Sequence, residues 1–408
     1  FGTSSIMVGD STTGTINAAN YNVGLGVDVF ENITTADSNT AIGFEAGKSI
    51  TNQGDNVFVG SKAGKSNNTY QSTYIGAQAG ENVVGNRGVG IGYLAMQDNI
   101  GSTTGDIGIG FLALQYKNTT DGGSVAIGQH ALRGVSNDKA TGKYNVAIGQ
   151  YAMQYYTSAA QNVAIGKNAL AAVTTPTYNT AIGHSAGSAI TTGAKNVLIG
   201  RYNGNENNLD IRTSSNNIVL SDGDANIRMR IDSSGNVGIG TNSPQETLHL
   251  FNSAQTWNQY SNIRMSTESD SYAAEIGFHR GTSDDSDRGL FLSGDGTNKH
   301  VRVLHGGNVG IGTSSPDANL EVITTESMSF ASDTVNSITL GTSGTNKPCI
   351  KFDTASTTHT NRVWAIENGA GDRLNFFRNG LDVFKLNQDG SVEIPGNVGI
   401  GTTSPSSK

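Results

Sequence analysis

Two short stretches of the chain carry the residues of a phosphate-binding loop. Both read Ala-Gly-Lys-Ser, at positions 46–49 and 63–66, and each follows an earlier glycine, Gly43 or Gly60. A phosphate loop places four residues between its two glycines, whereas only three stand here, and later turns replace the lysine. This spacing argues against a nucleotide site.

The acidic residues and histidines do not show the spacing of a metal site. Asp222, Asp224 and Asn226 begin like a calcium-binding loop, but Ile227 replaces its glycine and no closing glutamate follows. The aspartates within 284–287 are typical of a solvated turn, and the seven histidines are scattered. We therefore expect neither a bound metal nor a cofactor.

Glycan hydrolysis would require two carboxyl groups about 5–10 Å apart in a cleft. Positions 139–205 contain no Asp or Glu, and acids elsewhere are spread singly along turns. The net charge is −8, no basic segment is typical of nucleic-acid binding, and no apolar run is long enough to cross a membrane. These observations predict a protein that is not an enzyme, binds no nucleic acid and does not insert into a membrane.

Glycine instead marks a repeat that fills the first half of the chain. Its best copies read Asn-Val-Ala-Ile-Gly, at 145–149 and 162–166, and the phrase recurs twelve times with a period of about 17 residues. We call the last residue of each copy the closing glycine. The closing glycines are Gly9, Gly26, Gly43, Gly60, Gly76, Gly92, Gly110, Gly128, Gly149, Gly166, Gly183 and Gly200. Such a period is typical of a solenoid.

Each copy of the repeat predicts one short β-strand. The residue three before the closing glycine is β-branched in every copy, and the residue one before it is aliphatic, as in Ile148 and Ile165. Residues two apart share one face of a strand, and the residue between them is Ala or Gly in eight copies. Because a solvated strand would carry polar residues there, we expect both faces to be buried, as in a parallel sheet. The closing glycine marks a bend that a Cβ atom would obstruct.

Two further columns complete the repeat. Alanine stands three residues after the closing glycine in nine successive copies, from Ala46 to Ala186, and predicts a second short strand in each turn. Asparagine leads seven copies, where its amide can stack on the amides of neighbouring turns as a ladder. The pattern therefore predicts a parallel β-roll, or solenoid, of about twelve turns over positions 1–204.

The small residues of the roll bear on its oligomeric state. Alanine and glycine on a covered strand face supply little side-chain volume, so we expect a neighbouring chain to pack against that face. This reasoning predicts an elongated parallel homotrimer.

A related phrase recurs three times in the second half of the chain. It reads GNVGIGTNSP at 235–244, GNVGIGTSSP at 307–316 and GNVGIGTTSP at 396–405, and we call each copy a joint. The glycines and prolines that mark the joints are Gly240, Pro244, Gly312, Pro316, Gly401 and Pro405. Because proline cannot continue a hydrogen-bonded ladder, each joint is expected to be a single turn of the solenoid type that ends one domain. We call one such turn a rung.

The joints divide the rest of the chain. The expected domains after the roll are a connector at 205–244 and two small sandwich-like β units at 245–316 and 317–408, each ending in a joint. Short strands separated by Gly, Asp and Asn support this division, and the fold class is all-β.

Tyrosines cluster where the repeat is longest. The step that ends at Gly149 spans 21 residues and adds a loop at 135–144. Nearby turns carry four candidates for receptor contact, Tyr116, Tyr151, Tyr155 and Tyr156. Exposed aromatic rings suit stacking on sugars, and loops on one face of a solenoid often bind. The alternative is that a wider turn needs larger side chains to fill it.

The repeat and the joints resemble two protein families. The NVAIG turns resemble the YadA-like heads of trimeric autotransporter adhesins, which form trimeric left-handed parallel β-rolls from shorter turns. The joints resemble the distal part of bacteriophage tail fibres, where a self-cleaving chaperone commonly follows. The chain ends three residues after the last joint, as removal or omission of that chaperone would leave it. All three joints fit, so the tail-fibre resemblance weighs more.

This resemblance implies a homotrimeric, non-catalytic segment of a phage tail fibre, located on the virion outside the cell. The implied partners are copies of itself, a host surface glycan or envelope protein, and the upstream tail or baseplate proteins of the virion. The alternatives are a bacterial trimeric surface adhesin and a tailspike that depolymerises glycans.

Overall fold

The structure is a computed structural model, and it describes most of the first three quarters of the chain. The described residues are 5–9, 18–101, 103–119, 121–135, 140–252, 260–266, 273–279, 288–293, 300–322, 349–353, 363–369, 373–378, 381–386 and 390–394. All the regular secondary structure assigned within these residues is β-strand. The chain divides into two units, 1–323 and 324–408.

Twelve strands of the repeat stack as one parallel sheet, which confirms the predicted solenoid. Each strand is the three residues before a closing glycine, and Val146 pairs with Val163 as Ile148 pairs with Ile165. Two additional strands, β6 and β8, form a small parallel pair beside it. The strands are β1 (Ile6–Val8), β2 (Val23–Leu25), β3 (Thr40–Ile42), β4 (Val57–Val59), β5 (Thr73–Ile75), β6 (Gly85–Asn86), β7 (Val89–Ile91), β8 (Thr103–Thr104), β9 (Ile107–Ile109), β10 (Val125–Ile127), β11 (Val146–Ile148), β12 (Val163–Ile165), β13 (Thr180–Ile182) and β14 (Val197–Ile199).

The central residue of each strand points into the roll. Ala147 and Ala164 are completely buried, whereas the isoleucines beside them are only partly covered. The expectation that a neighbouring chain covers the small residues is wrong, because turns of the same chain, including Ala152 and Met153, close over them. We call the opposite side, made by the residues three and one before each closing glycine, the outward face.

The predicted second strand of each turn does not form. Around Ala152 the chain makes consecutive turns, with positive φ at Tyr151 and Met153. The Tyr151 N–H donates to the Gln129 carbonyl of the preceding rung (2.9 Å), and the Met153 N–H donates to the Ala169 carbonyl of the following rung (2.9 Å). Alternate amides thus bond to both neighbours, which satisfies the buried backbone without a strand.

Side-chain size at the strand centre is matched by side-chain size four residues after the closing glycine, so that the interior stays filled. In one rung the strand centre is Tyr74, and a Cβ added at Gly80 would lie 2.6 Å from its ring. In the next rung the strand centre is Gly90, and the position of Gly80 is taken by the buried Met96, whose Cγ would lie 2.7 Å from a Cβ added at Gly108. This complementarity explains why a few strand centres are large although most are Ala or Gly, since interiors are close-packed.

The asparagine column forms the predicted amide ladder inside the roll. Asn56 Nδ2 donates to Asn39 Oδ1 (2.9 Å), and Asn162 Nδ2 donates to Asn145 Oδ1 (3.1 Å). All four side chains are completely buried. The ladder therefore satisfies polar groups that would otherwise be costly to bury.

The first joint ends the sheet of the roll. Strands β17 (Ile218–Ser221), β18 (Ile227–Ile231), β19 (Val237–Ile239) and β20 (Leu248–Leu250) complete sixteen strands, and β15 (Asn205–Glu206) pairs with β16 (Leu209–Asp210). The joint strand β19 is antiparallel to β18 and parallel to β20. The strand after the joint therefore closes the sheet of the roll, whereas the sequence suggested that it opened the next unit.

The second joint ends a six-stranded sheet in the same way. Its strands are β21 (Tyr260–Ser266), β22 (Ala273–His279), β23 (Gly289–Ser293), β24 (Val301–Leu304), β25 (Val309–Ile311) and β26 (Leu320–Val322). The joint strand β25 is antiparallel to β24 and parallel to β26. Where two packed sheets were expected, the described strands make one sheet.

The prolines of the first two joints have a packing role that the sequence did not reveal. Pro244 and Pro316 are buried. A Cβ added at Gly310 would lie 2.8 Å from the Thr313 carbonyl oxygen and 3.3 Å from Pro316 Cγ. The Thr-x-Ser-Pro loop therefore folds back over the central glycine of the joint strand.

The second unit contains a five-stranded antiparallel sheet. Its strands are β27 (Cys349–Asp353), β28 (Val363–Gly369), β29 (Arg373–Arg378), β30 (Leu381–Leu386) and β31 (Val392–Glu393). The third joint, with Gly401 and Pro405, lies outside the described residues.

Candidate functional site

The four tyrosines singled out in the sequence occupy different environments. Tyr155 is 54% exposed, while Tyr116 and Tyr151 are half-buried. Tyr156 is 1% exposed, and burial raises the pKa of its hydroxyl. Tyr156 is therefore an interior filler and not a receptor contact, because no ligand can reach its ring. Part of the nearby loop, 136–139, lies outside the described residues.

Aromatic rings from four successive rungs form a continuous strip that sequence reasoning missed. Tyr93 stacks on Phe111 (centroids 5.8 Å apart), Phe111 meets His130 edge-on (5.2 Å), and His130 lies beside Tyr151 (5.3 Å). Tyr93 is 49% exposed and Phe111 40%. We call these four residues the aromatic strip. Their positions one or two residues after the closing glycine are the sequence signal that could have revealed it.

Two rings of the strip, Tyr93 and Phe111, belong to a column along one edge of the roll, which we call the edge column, whereas His130 and Tyr151 lie one residue further along in their rungs. The edge column consists of the residue immediately after each closing glycine from Gly26 onward: Val27, Phe44, Ser61, Ala77, Tyr93, Phe111, Gln129, Gln150, Lys167, His184 and Arg201. In the rungs of His130 and Tyr151, the edge column carries two glutamines, and Gln150 Nε2 donates to Gln129 Oε1 (2.8 Å). The next three residues of the column are exposed. Along this edge the side chains thus change from aromatic to amide to cationic.

His130 contributes a neutral ring to the strip. Burial, together with the positive charge of Arg133, holds its pKa below the ordinary value of 6.5. Its imidazole is therefore uncharged at neutral pH. The Arg133 guanidinium lies over the Tyr116 ring, 5.7 Å from its centroid, which is a cation–π contact.

The first half of the roll carries an acidic cluster that the sequence did not suggest. Lys48 Nζ lies 3.3 Å from Asp28, 2.6 Å from Glu31 and 3.1 Å from Glu45. Lys65 Nζ also reaches Glu45 at 2.7 Å, and this bond lowers the pKa of the Glu45 carboxyl. A glycosidase acid needs a raised pKa, so this cluster has the opposite electrostatics. It ties neighbouring rungs together.

The two halves of the roll carry opposite charge. Positions 1–106 contain four Lys or Arg against nine Asp or Glu, whereas positions 107–204 contain seven against two. The region after 204 is again acidic, with 15 basic and 23 acidic residues. The aromatic strip starts in the last rung of the acidic half and continues into the basic half.

A buried ion pair lies where the two halves meet. Asp106 stands in the asparagine column, and Lys117 Nζ lies 2.8 and 2.9 Å from its two carboxylate oxygens. Asn99 Nδ2 (3.1 Å) and the Ser124 N–H (2.9 Å) also donate to this carboxylate. Both side chains of the pair are at most 1% exposed, and burial lowers the pKa of Lys117 against the opposing effect of Asp106.

The segment that begins like a calcium-binding loop forms a hydrogen-bonded turn around Asp222. Asp222 accepts hydrogen bonds from the Asp224 N–H (3.0 Å) and the Asn226 N–H (2.9 Å) and pairs with Arg228. Burial alone would raise the pKa of Asp222, but these bonds outweigh it and lower the pKa to about 2. Among the described residues, no three His, Cys, Asp or Glu side chains are grouped to hold a metal ion. The acidic run at 284–287 lies outside them.

In the part of the chain that the structure covers, no helix is long and apolar enough to span a membrane. No protein-family model and no curated protein sequence matches this chain. The outward face, the joints and the edge column are the features of the chain that bear on its function.

Proposed function

We propose that this chain is a structural and receptor-binding segment of a homotrimeric fibre, of the kind that forms the distal part of a phage tail fibre. Its work is to hold adhesive surface away from a virion and to contact a glycan or envelope protein of the host. The proposal places it outside the cell, attached through upstream tail or baseplate proteins, with no catalytic role.

The observation that carries this proposal is the apolar outward face. In the roll, Ile182 is 38% exposed and Ile199 45%, and equivalent residues line the rungs before them. The joint strand continues the same columns with Val237 and Ile239, the latter 45% exposed. Burying the rest of one such side chain stabilises a complex by roughly 1 kcal/mol, and soluble monomers rarely expose so long an apolar surface.

The six-stranded sheet repeats this arrangement. One face exposes Ile263, Met265, Ile276, Phe278, Leu290 and Leu292, whereas Glu275, His279 and Arg302 are buried. The second joint adds Ile311, which is 39% exposed, to the apolar face through its pairing with Val301. In a soluble monomer, apolar side chains are usually buried and polar ones exposed, and this sheet has the opposite arrangement. Such an arrangement is typical of a sheet that associates with copies of itself.

The number of copies and the biological setting come from the resemblances of the sequence. The roll repeats resemble trimeric adhesin heads, and the joints resemble tail fibres. Multivalency in a trimer would let several weak receptor contacts act together. The salt-bridged acids around Lys48 support a non-catalytic role, because a paired carboxylate is a poor proton donor at neutral pH.

Sedimentation equilibrium of the 408-residue chain tests the assembly. We expect a trimer for the wild type and dissociation for Ile165→Asp, which would place three carboxylates on the buried outward face. The matched control is Ser158→Asp, which adds the same charge on an exposed turn and should leave the trimer intact. A wild-type chain that sediments as a monomer would contradict the proposed trimer.

Immunogold labelling with an antibody against the roll tests the setting. Gold on fibres that project from virions supports the tail-fibre proposal, whereas gold on bacterial envelopes would instead support the surface adhesin. A pull-down with the isolated fibre should retain host cells. Loss of polysaccharide viscosity during incubation would contradict the non-catalytic role and favour a depolymerase.

A further inference from the structure

We propose that the aromatic strip, together with the edge column from Gln129 to Arg201, binds an extended acidic glycan, which lies along the stacking direction of the rungs. This inference rests on the proposed function, and it adds the chemical class of the receptor and the place where it binds. Three features of the described roll carry it: ring spacing, polar groups in line with the rings, and charge.

The aromatic strip provides stacking surfaces in a repeating geometry. Neighbouring ring centroids are 5.2 to 5.8 Å apart because each ring comes from a successive rung. This distance is comparable to the length of one sugar ring in an extended chain. An extended chain of sugars that follows the stacking direction can therefore contact an aromatic side chain at each of four successive rungs.

Groups that can bind the polar atoms of a sugar follow on the same edge. The hydrogen-bonded amides of Gln129 and Gln150 are half-buried and therefore held in place. Lys167 and Arg201 lie one and three rungs after Gln150, and both are exposed. Neither forms an ion pair with a described residue. A binding site of this kind combines apolar rings with a few fixed polar groups.

The charge of the roll selects an acidic ligand. Apart from Lys117, which is buried and paired with Asp106, six basic residues against two acidic ones at positions 107–204 make this half attractive to anions, while positions 1–106 and the region after 204 repel them. The neutral imidazole of His130 keeps the strip itself apolar at physiological pH. A glycan that contains uronic or sialic acids therefore matches both the rings and the cations of the edge column.

The first half of the roll supplies an internal control. Phe44 occupies the edge column there and is 46% exposed, close to the 40% of Phe111. Its neighbours in the column are Val27 and Ser61, which offer no ring, and the acids around Lys48 lie in the same and the adjacent turns. Phe44 thus shares the exposure of the strip without its aromatic partners or its positive surroundings.

The test measures binding of the intact trimer to polygalacturonate, hyaluronan and polysialic acid, with neutral dextran as the reference polymer. We expect at least one acidic polymer to bind and dextran not to bind. Phe111→Ala should weaken that binding by about 10-fold, since stacking on one aromatic ring commonly contributes at least this factor. Lys167→Gln should weaken it by roughly 3-fold and reduce its dependence on salt.

Phe44→Ala should change the affinity by less than about 2-fold, because its ring lies outside the site. Sedimentation equilibrium of each variant shows whether the trimer is intact, so that loss of binding is not confused with loss of assembly. The inference is overturned if no acidic polymer binds, if dextran binds equally well, or if Phe111→Ala and Phe44→Ala behave alike. A fibre that retains host cells in spite of such a result would keep the proposed function and lose only this inference.

Discussion

The two halves of the roll share one backbone and differ in almost everything that lies on its edge. Rungs in both halves have the same strand length, the same bend at the closing glycine and the same alternating turn bonds. In the first half the edge column and its neighbours carry a network of acids around Lys48, whereas the second half presents aromatic, amide and cationic side chains.

This difference separates the residues that specify the fold from those that are free to vary. The strand centres, the asparagine column and the closing glycine face the interior or contact the next rung, so each is restricted by packing. The residue after the closing glycine contacts mainly solvent and its counterparts above and below. A solenoid can therefore change its surface rung by rung without changing its core.

The largest effect is expected at the ion pair where the halves meet. Lys117→Met leaves the Asp106 carboxylate buried with only neutral donors, Asn99 and Ser124. Removing one member of a buried pair typically costs about 3–5 kcal/mol. Urea unfolding followed by circular dichroism should therefore show a reduction of this size in the free energy of unfolding.

The double variant with Asp106→Asn and Lys117→Met sharpens this prediction. It restores the amide that other rungs carry in this column and removes both charges, so its stability should return to within about 1 kcal/mol of the wild type. If the double variant were as unstable as Lys117→Met alone, the two halves would require the ion pair itself, and the neutral ladder would not be an equivalent solution.

The closing glycines should show that the halves have equal backbones. A Cβ at Gly60 would lie 2.5 Å from the Gly76 carbonyl oxygen, and one at Gly149 would lie 2.6 Å from that of Gly166. Both also have φ above +130°. Gly60→Ala and Gly149→Ala should therefore each destabilise the roll by about 1–3 kcal/mol.

Gly223→Ala is the control for these substitutions, since nothing lies within 4 Å of its added Cβ. Its effect on the urea midpoint should be small. Unequal effects of Gly60→Ala and Gly149→Ala would contradict the view that the two halves differ only in their edges.

The smallest expected effects concern the dependence of stability on pH. The position two residues after the closing glycine carries groups that titrate in different pH ranges in the two halves. His130 and Glu45 both stand two residues after a closing glycine, and both have a lowered pKa in the folded state. As the pH falls below the unfolded value of 6.5, the unfolded histidine gains a proton that the folded one does not, so stability is lost. The contribution of Glu45 is present at neutral pH and is lost below its usual value of 4.5.

Urea midpoints at pH 7.5, 5.5 and 3.5 separate the two contributions. His130→Phe should remove part of the loss between the first two values, and Glu45→Gln should reduce the loss between the last two. Each variant should leave the other range unchanged. A His130→Phe variant with the same acid sensitivity as the wild type would show that the imidazole does not titrate as the structure indicates.

The sequence predicted the solenoid, its strands, the bend at the glycines and the asparagine ladder, because these depend on columns that repeat. It misplaced the covered face, since alternation shows that Ala147 and Ile148 point in opposite directions but not which direction is inward. It missed the turns around Ala152, where positive φ at Tyr151 and Met153 has no residue signature.

The candidate site was less predictable than the fold. The tyrosines were chosen for their nearness to a long loop, whereas the strip depends on neighbours in space that are 18–21 residues apart in the chain. Tyr156 cannot be told from Tyr155 by composition, although one lies in the interior and the other in solvent. Aligning the rungs by their closing glycines would have shown Tyr93 and Phe111 in one column, and this alignment is the step that finds such surfaces.

The alternating turn bonds have a mechanical consequence. Strand amides and alternate turn amides, such as those of Tyr151 and Met153, bond to the rungs above and below, so hydrogen bonds lie along the stacking direction at the turns as well as at the strands. A pull along that direction loads these bonds side by side, and one rung separates from the next only when many of them yield together. A segment that joins a particle to a surface under fluid drag would thus resist extension as a stiff rod, without a weak seam at its turns.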